Sequence, residues 1–231
     1  MKDRLSREVR TRNEGVAIHP DEKSVGIKNL QSGETYTESY DKLILSPGAE
    51  PVHPDFPGVD DDRVFTLRTI PDTYRIDAYI KENAPKRALV VGAGFIGLEM
   101  AENLTRAGLK VTVAELSDHA VAALDADMAA DVHHYLKRQG VELLLENGVQ
   151  AIEPSPQGLH VKLSRGSVDA DLVLLSIGVR PESGLAQAAG LKVNERGAVV
   201  VDEYLRTSNE NIYAVGDAVQ ALQPGTGQPG Y

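Results

Sequence analysis

The chain has 231 residues, 24 Lys and Arg against 34 Asp and Glu, six His, and neither Cys nor Trp. A net charge of −10 gives no footprint for nucleic acid or an anionic membrane, and 42% hydrophobic with 25% charged residues suits a globular chain of one large or two small domains. The absence of Cys excludes disulfides, thiolate zinc sites and cysteine nucleophiles, and no apolar run approaches the ~18 residues of a spanning helix.

The first 35 or so residues are polar and turn-rich, with a short apolar run at Val16–Ile18. Val25–Leu30 alternates apolar and polar, and Thr35–Tyr40 is rich in strand-favouring types; around the Gly33 turn they predict a β-hairpin. Tyr40–Leu45 predicts a strand stopped by Ser46-Pro47-Gly48. Pro47, Pro51, Pro54 and Pro57 then predict an extended connector rather than an element. Apolar spacing predicts a helix over 72–80, ending before Pro85. From Arg87 the sequence reads strand (to Val91), helix (Phe95–Ala107), strand (Val111–Glu115), helix (Ala126–Gln139), strand (Val141–Leu145), the order of a nucleotide-binding α/β domain. Gly148–Glu153, Leu159–Leu163 and the segment from Val168 predict a small antiparallel excursion before a buried strand at Leu172–Ile177. Ala198–Val201 and Ile212–Val215 predict further strands, and Gln223–Tyr231 none.

Gly-x-Gly-x-x-Gly occurs twice. Gly225 to Gly230 has no buried strand before it and Pro229 within it, so it reads as coincidence. Gly92-Ala93-Gly94-Phe95-Ile96-Gly97 follows a buried strand and opens a helix. There Gly92 permits the tight bend, Gly94 admits a diphosphate to the backbone, and Gly97 lets the helix lie close to the strand. The helix N-terminus holds the anion without Lys or Arg. Eighteen residues after Gly97, Glu115 ends the second strand, where a carboxylate binds ribose hydroxyls and repels a 2′-phosphate. NAD(H) is favoured over NADP(H); the plain alternative is that Glu115 caps a strand edge. Glu99 lies on the first helical turn, either near a bound dinucleotide or simply as an acid favoured by the helix dipole. His133 and His134 follow Asp127 and Asp131 on a helix, where the pair Asp131/His134 or the pair Asp127/Asp131 would suit two ligands on one face; no third ligand is placed, so a solvated face is the reading, and no metal is expected.

Val90–Glu99 resembles the nicotinamide-binding segment of the pyridine nucleotide-disulfide oxidoreductases. Tyr40–Ala49 and Thr207–Ala218 are similar to the two places where that family's chain meets its flavin domain. Ser46–Ala49, Leu67–Thr73 and Ser176–Pro181 are similar to the branch of coenzyme A-disulfide reductases, NADH oxidases and NADH peroxidases. The resemblance implies a Rossmann-like NAD(H)-binding domain over 71–195, a parallel sheet with helices and a small antiparallel excursion, flanked by partial FAD-binding segments over 1–70 and 196–231. It implies NADH along Gly92, Gly94, Phe95, Ile96 and Gly97, with Glu115 on the ribose, Glu99 near the nicotinamide and Gly178 bordering the site. Phe95 resembles the aromatic that covers the flavin until NADH displaces it; a core Phe is the rival. Ser46, Pro47, Gly48, Gly216 and Asp217 would face FAD.

Missing from the resemblance are an N-terminal Gly-x-Gly-x-x-Gly, the redox cysteine and a C-terminal dimerisation domain. The chain therefore reads as an excised middle, with a naturally short protein as the alternative. The implied parent is a cytoplasmic, homodimeric, FAD-dependent enzyme passing hydride from NADH to a disulfide, peroxide or oxygen. The fragment alone is expected to be inactive. A non-catalytic NADH-sensing module shares every binding motif and remains the alternative; a flavin-free dehydrogenase lacks an evident acid or base.

Overall fold

The computed structural model describes residues 8–222 and 229–230. The chain divides into two compact units, residues 51–179 and a second formed by 1–50 with 180–231. The second unit opens with β1 (Asn13–His19), β2 (Ser24–Asn29) and β3 (Thr35–Ser39), an antiparallel meander in the order β1-β2-β3. The predicted hairpin is β2–β3; β1 outgrows the short run at Val16–Ile18 because it pairs with β2 on both sides of a bulge at Val16, from Asn13 opposite Asn29 to His19 opposite Ser24. β4 (Leu43–Leu45) follows, and then β5 (Ala49–Pro51), a three-residue strand inside the stretch expected to be all connector.

The unit over 51–179 carries β6 (Val64–Thr66), α1 (Ile70–Asn83), β7 (Arg87–Val91), α2 (Phe95–Arg106), β8 (Lys110–Ala114), α3 (Ala126–Arg138) and β9 (Glu142–Leu144). After these come β10 (Val149–Ser155), β11 (Gly158–Leu163), β12 (Gly166–Ala170) and β13 (Leu172–Leu175). Its main sheet has the order β6-β13-β7-β8-β9, every pair parallel. The pleat sorts the core. Val90, Val111, Val113, Leu172 and Leu174 pack with Ile76, Ala101, Leu104 and Leu136 of the three helices. Leu89, Val91, Val173 and Leu175 face the other way, onto Ile152, Leu159, Val161 and Leu163 of the antiparallel β10-β11-β12 sheet. Strands buried on both faces must read as continuous apolar runs, and β7 and β13 do. α1 starts two residues earlier than its apolar spacing suggests because Asp72 Oδ2 accepts the Thr69 N–H at 2.7 Å, closing a capping box. β6 went unforeseen: its three residues acquire strand character from pairing with Val173–Leu175.

The chain returns to the second unit through β14 (Val179–Pro181), then α4 (Gly184–Ala188), β15 (Val199–Val200), β16 (Ile212–Ala214), a 3₁₀ turn at Gly216–Ala218, β17 (Val219–Leu222) and β18 (Pro229–Gly230). β16 lies parallel to β4, Ile212 opposite Leu43 and Ala214 opposite Leu45. Ile18, Leu191, Val199, Val201, Ile212 and Ala214 form the core of this unit. Contrary to the expectation of no element after 222, Pro229–Gly230 pairs antiparallel with Ala221–Leu222. Gly225 and Gly227 of the second glycine string lie outside the described residues.

Candidate functional site

In the parallel sheet, β7 is followed spatially by β8 on one side and β13 on the other, so the crevice beyond the carboxyl ends of β7 and β13 is the switch point where open α/β sheets bind ligands. Gly92 leaves β7 at φ +101°, a conformation suited to glycine, and a Cβ there would collide with the Ser176 carbonyl oxygen. Ser176 leaves β13 on the opposite side of the crevice. Its N–H donates to the Val91 carbonyl at 2.8 Å and its Oγ to the same carbonyl at 2.9 Å, fixing the two strand ends together.

Gly97 is buried under this turn; a Cβ on it would overlap the Gly92 carbonyl oxygen and lie 2.6 Å from Ser176 Oγ. Close packing of α2 on β7 therefore depends on the missing side chain. Gly94 differs. Its φ of −77° suits any residue, and a Cβ there would meet no protein atom within 4 Å. The space beside Gly94 is part of a cleft of about 670 Å³ enclosed within residues 51–179. As the residue preceding α2, Gly94 offers no side chain to the first-turn N–H groups, and those donors face outward without a cap.

Glu115 follows β8 at the cleft wall. Its Oε2 accepts the Ala93 N–H at 2.6 Å and its Oε1 the Ser117 N–H at 2.8 Å. Burial alone would raise the Glu115 carboxyl, but these backbone donors outweigh it and hold the pKa below the usual glutamate range. The group is thus an anion at neutral pH. Each oxygen retains a lone pair for a further donor. Among the described residues, Glu115 is the one charged side chain lining the cleft. Beside the polar Ser117, Asn147 and Ser176, the rest of the wall is mostly apolar, and its exposed plates are Phe95 at 70% and Leu116 at 76% of full exposure, joined by Ile96, Ile177 and Val179. An uncharged helix N-terminus, an anchored carboxylate and apolar plates can together hold an anion, a diol and flat rings.

Of the residues singled out in the sequence, Gly92, Gly94, Phe95, Ile96, Glu115 and Gly178 line this one cleft. Glu99 is exposed on α2, one helical turn after Phe95, and is not among the residues that line the cleft. Ser46, Pro47, Gly48, Gly216 and Asp217 belong to the second unit. There the parallel pair β4 and β16 ends at Ser46 and Gly216, with the Val215 N–H on the Leu45 carbonyl at 2.9 Å. Gly216 has φ +79°, and its Cβ position is 3.6 Å from Ser46 Oγ. Asp217 is exposed on the 3₁₀ turn. Sequence reasoning missed Pro54, Phe56, Leu116 and Asn147–Val149 as cleft wall. Leu116 carried a signal, an apolar residue directly after a strand-ending acid; the others reach the cleft only through tertiary folding. On α3, His133 Nε2 accepts the Ala120 N–H at 3.1 Å, and no cluster suited to a metal occurs among the described residues. No helix among them is long and apolar enough to cross a membrane.

Residues 2–229 match the family described as pyridine nucleotide-disulphide oxidoreductase. The chain is 40% identical over 217 residues to an NADH oxidase of Methanocaldococcus jannaschii, covering 93% of this chain and 48% of the relative. It is 35% identical over 216 residues to the coenzyme A disulfide reductase of Staphylococcus aureus, with 93% and 48% covered. Among solved structures, reduced Bacillus anthracis CoADR-RHD superposes with a TM-score of 0.94 at 44% identity, over 99% of this chain and 41% of that one. The chain spans about half the length of the curated relatives it matches.

Proposed function

The chain belongs to the pyridine nucleotide-disulphide oxidoreductase family, and from that premise we propose that its cleft holds NAD(H) for an FAD-dependent oxidoreductase. The observation that carries the reading is the pairing of Gly94, whose absent side chain leaves space beside uncapped helix donors, with Glu115, anchored as an anion on the same wall. The diphosphate lies against the Gly94–Gly97 backbone, where N–H groups and the helix dipole compensate its charge. Glu115 accepts the adenosine ribose hydroxyls and disfavours a 2′-phosphate, so NAD(H) is selected over NADP(H). Phe95, Ile177 and Gly178 border the nicotinamide end of the cleft. When bound, the nicotinamide would supply a hydride and the flavin would accept it. Toward that flavin, Ser46, Pro47, Gly48, Gly216 and Asp217 at the carboxyl ends of β4 and β16 fit a backbone-and-carboxylate contact with the ribityl chain. The terminal acceptor of the whole enzyme is a disulfide such as coenzyme A disulfide, or oxygen or peroxide, and the whole enzyme is a homodimer. The 231 residues contain no Cys, so none of them supplies the thiolate. That composition also favours a second reading, an NADH-holding module without turnover.

Isothermal titration tests the binding site. Glu115→Ala removes at least one hydrogen bond to a charged acceptor, worth about 1.5–3 kcal/mol, so the NADH Kd rises at least about tenfold. Glu115→Arg loses NADH and gains NADPH. Unchanged affinities in both variants overturn the ribose assignment.

A further inference from the structure

The segment from Ser117 to Leu124 joins β8 to α3 and runs along the wall that carries Glu115. It is fastened at four points. The Ser117 N–H reaches Glu115 Oε1, the Ser117 carbonyl accepts the Glu146 N–H at 2.9 Å, the Ala120 N–H reaches His133 Nε2, and the Val121 N–H donates to the Ala93 carbonyl at 2.9 Å. Ala93 is thus gripped from both sides, by Glu115 through its N–H and by Val121 through its carbonyl. Val121 makes that contact at φ +53°, where a β-branched residue is disfavoured. Such a conformation, costing roughly 1–3 kcal/mol, persists only where surrounding contacts over-determine it.

Two contacts fold this loop on itself, the Leu124 N–H donating to the Val121 carbonyl at 2.8 Å and the side chain of His119. Its Nδ1 lies 2.6 Å from Asp118 Oδ1 and its Nε2 lies 3.1 Å from the Leu124 carbonyl oxygen. Both partners are acceptors only. A neutral imidazole has one N–H, so either tautomer turns a lone pair toward one of them; the imidazolium alone donates to both. The titratable groups facing the ring are Asp118 on its own loop and Glu115 at the end of β8. From α3, His133 touches the loop one residue further on, at Ala120.

We infer that His119 is a positioning residue for the adenosine side of the cleft: in its protonated form it closes the Ser117–Leu124 loop on itself and so holds Val121 against Ala93 of the glycine turn. The inference rests on the dinucleotide reading given above. The hydrogen bond to Asp118 raises the His119 pKa above the ordinary histidine value, against a smaller opposing effect of burial. The clip is therefore complete below the ordinary histidine range near 6.5 and is lost as pH rises through the elevated value. NADH affinity follows it downward.

Titrating the full chain by fluorescence between about pH 6 and about pH 9 tests this, since histidine is the side chain that switches in that range. NADH and reduced nicotinamide mononucleotide, which lacks the adenosine, are compared. The NADH Kd rises several-fold through a one-proton transition, while the mononucleotide Kd stays flat. His119→Gln abolishes the transition, and Asp118→Asn moves it to lower pH. A pH-independent NADH Kd, the same transition in His119→Gln, or an equal transition for the mononucleotide overturns the inference alone. Absence of NADH binding at every pH overturns the dinucleotide reading and the inference with it.

Discussion

Adding one methyl group at Gly94 and at Gly97 separates a glycine needed by the ligand from a glycine needed by the fold. At Gly97 the new Cβ overlaps the Gly92 carbonyl oxygen and presses on Ser176 Oγ, and a backbone carbonyl held between two strands cannot swing aside as a side-chain end can. Over-packing of this kind costs about 1–3 kcal/mol, against which Ala in place of Gly within a helix returns up to about 1 kcal/mol. A net loss of about 1–2 kcal/mol is expected, a fall in melting temperature of about 3–8 °C for a unit of this size. At Gly94 the backbone needs no glycine and the Cβ touches no protein atom, so the cost is limited to exchanging Gly for Ala ahead of a helix, under about 1 kcal/mol. The same Cβ stands where the diphosphate must approach the N–H groups, and the NADH Kd rises at least about tenfold, or 1.4 kcal/mol. Thermal melts and NADH titrations of both variants decide the matter. Gly94→Ala with wild-type affinity refutes the placement of the diphosphate; Gly97→Ala with wild-type stability refutes the account of the packing between α2 and β7.

Glu115 makes stability depend on pH. Because its pKa is lowered in the folded chain, its contribution is present above the ordinary glutamate value near 4.3 and is lost as pH falls through the lowered value. Acid unfolding of Glu115→Gln, followed by circular dichroism, should therefore show a shallower loss of stability below about pH 4 than the unaltered chain, and coincident curves would refute the anchoring role. Salt offers an independent check. With a chain charge of −10 and no Lys or Arg in the cleft wall, raising ionic strength from about 0.05 to 0.5 M should leave NADH affinity unchanged or improve it; a Kd that rises steeply with salt would show that a basic group holds the phosphates.

What was legible in the sequence follows from range. The buried strand β7, the turn from Gly92 to Gly97 and the acid at Glu115 are local patterns whose geometry is decided within a few residues, and each stands where its pattern places it. Alternation likewise revealed β2, strand-favouring residue types β3, and the expected antiparallel excursion stands as β10–β12. β6 was illegible because Val64–Thr66 follows an acidic run and is too short to show any period. Its strand state is imposed by β13, far away in sequence. Pro54 and Phe56 escaped for the same reason: a proline-rich connector announces its extended backbone, not the wall it will cover.

The cleft divides its tasks among groups of different range, and that division suits an acidic chain. A diphosphate brought by lysine or arginine would be attracted from a distance and bound in several orientations. Backbone N–H groups at Gly94–Gly97 act only at contact, and only on an anion that enters between Gly94 and the end of β7. In the proposed binding mode Glu115 then adds a penalty for a second phosphate on the ribose, which a cationic wall would have cancelled. Its two carboxylate oxygens are committed first to Ala93 and Ser117, so the group proposed to read the ribose also holds the turn proposed to receive the diphosphate. Changing cofactor preference at Glu115 therefore disturbs the glycine turn as well. A substitution there must be accompanied by a new acceptor for the Ala93 N–H if NADPH is to bind as firmly as NADH does.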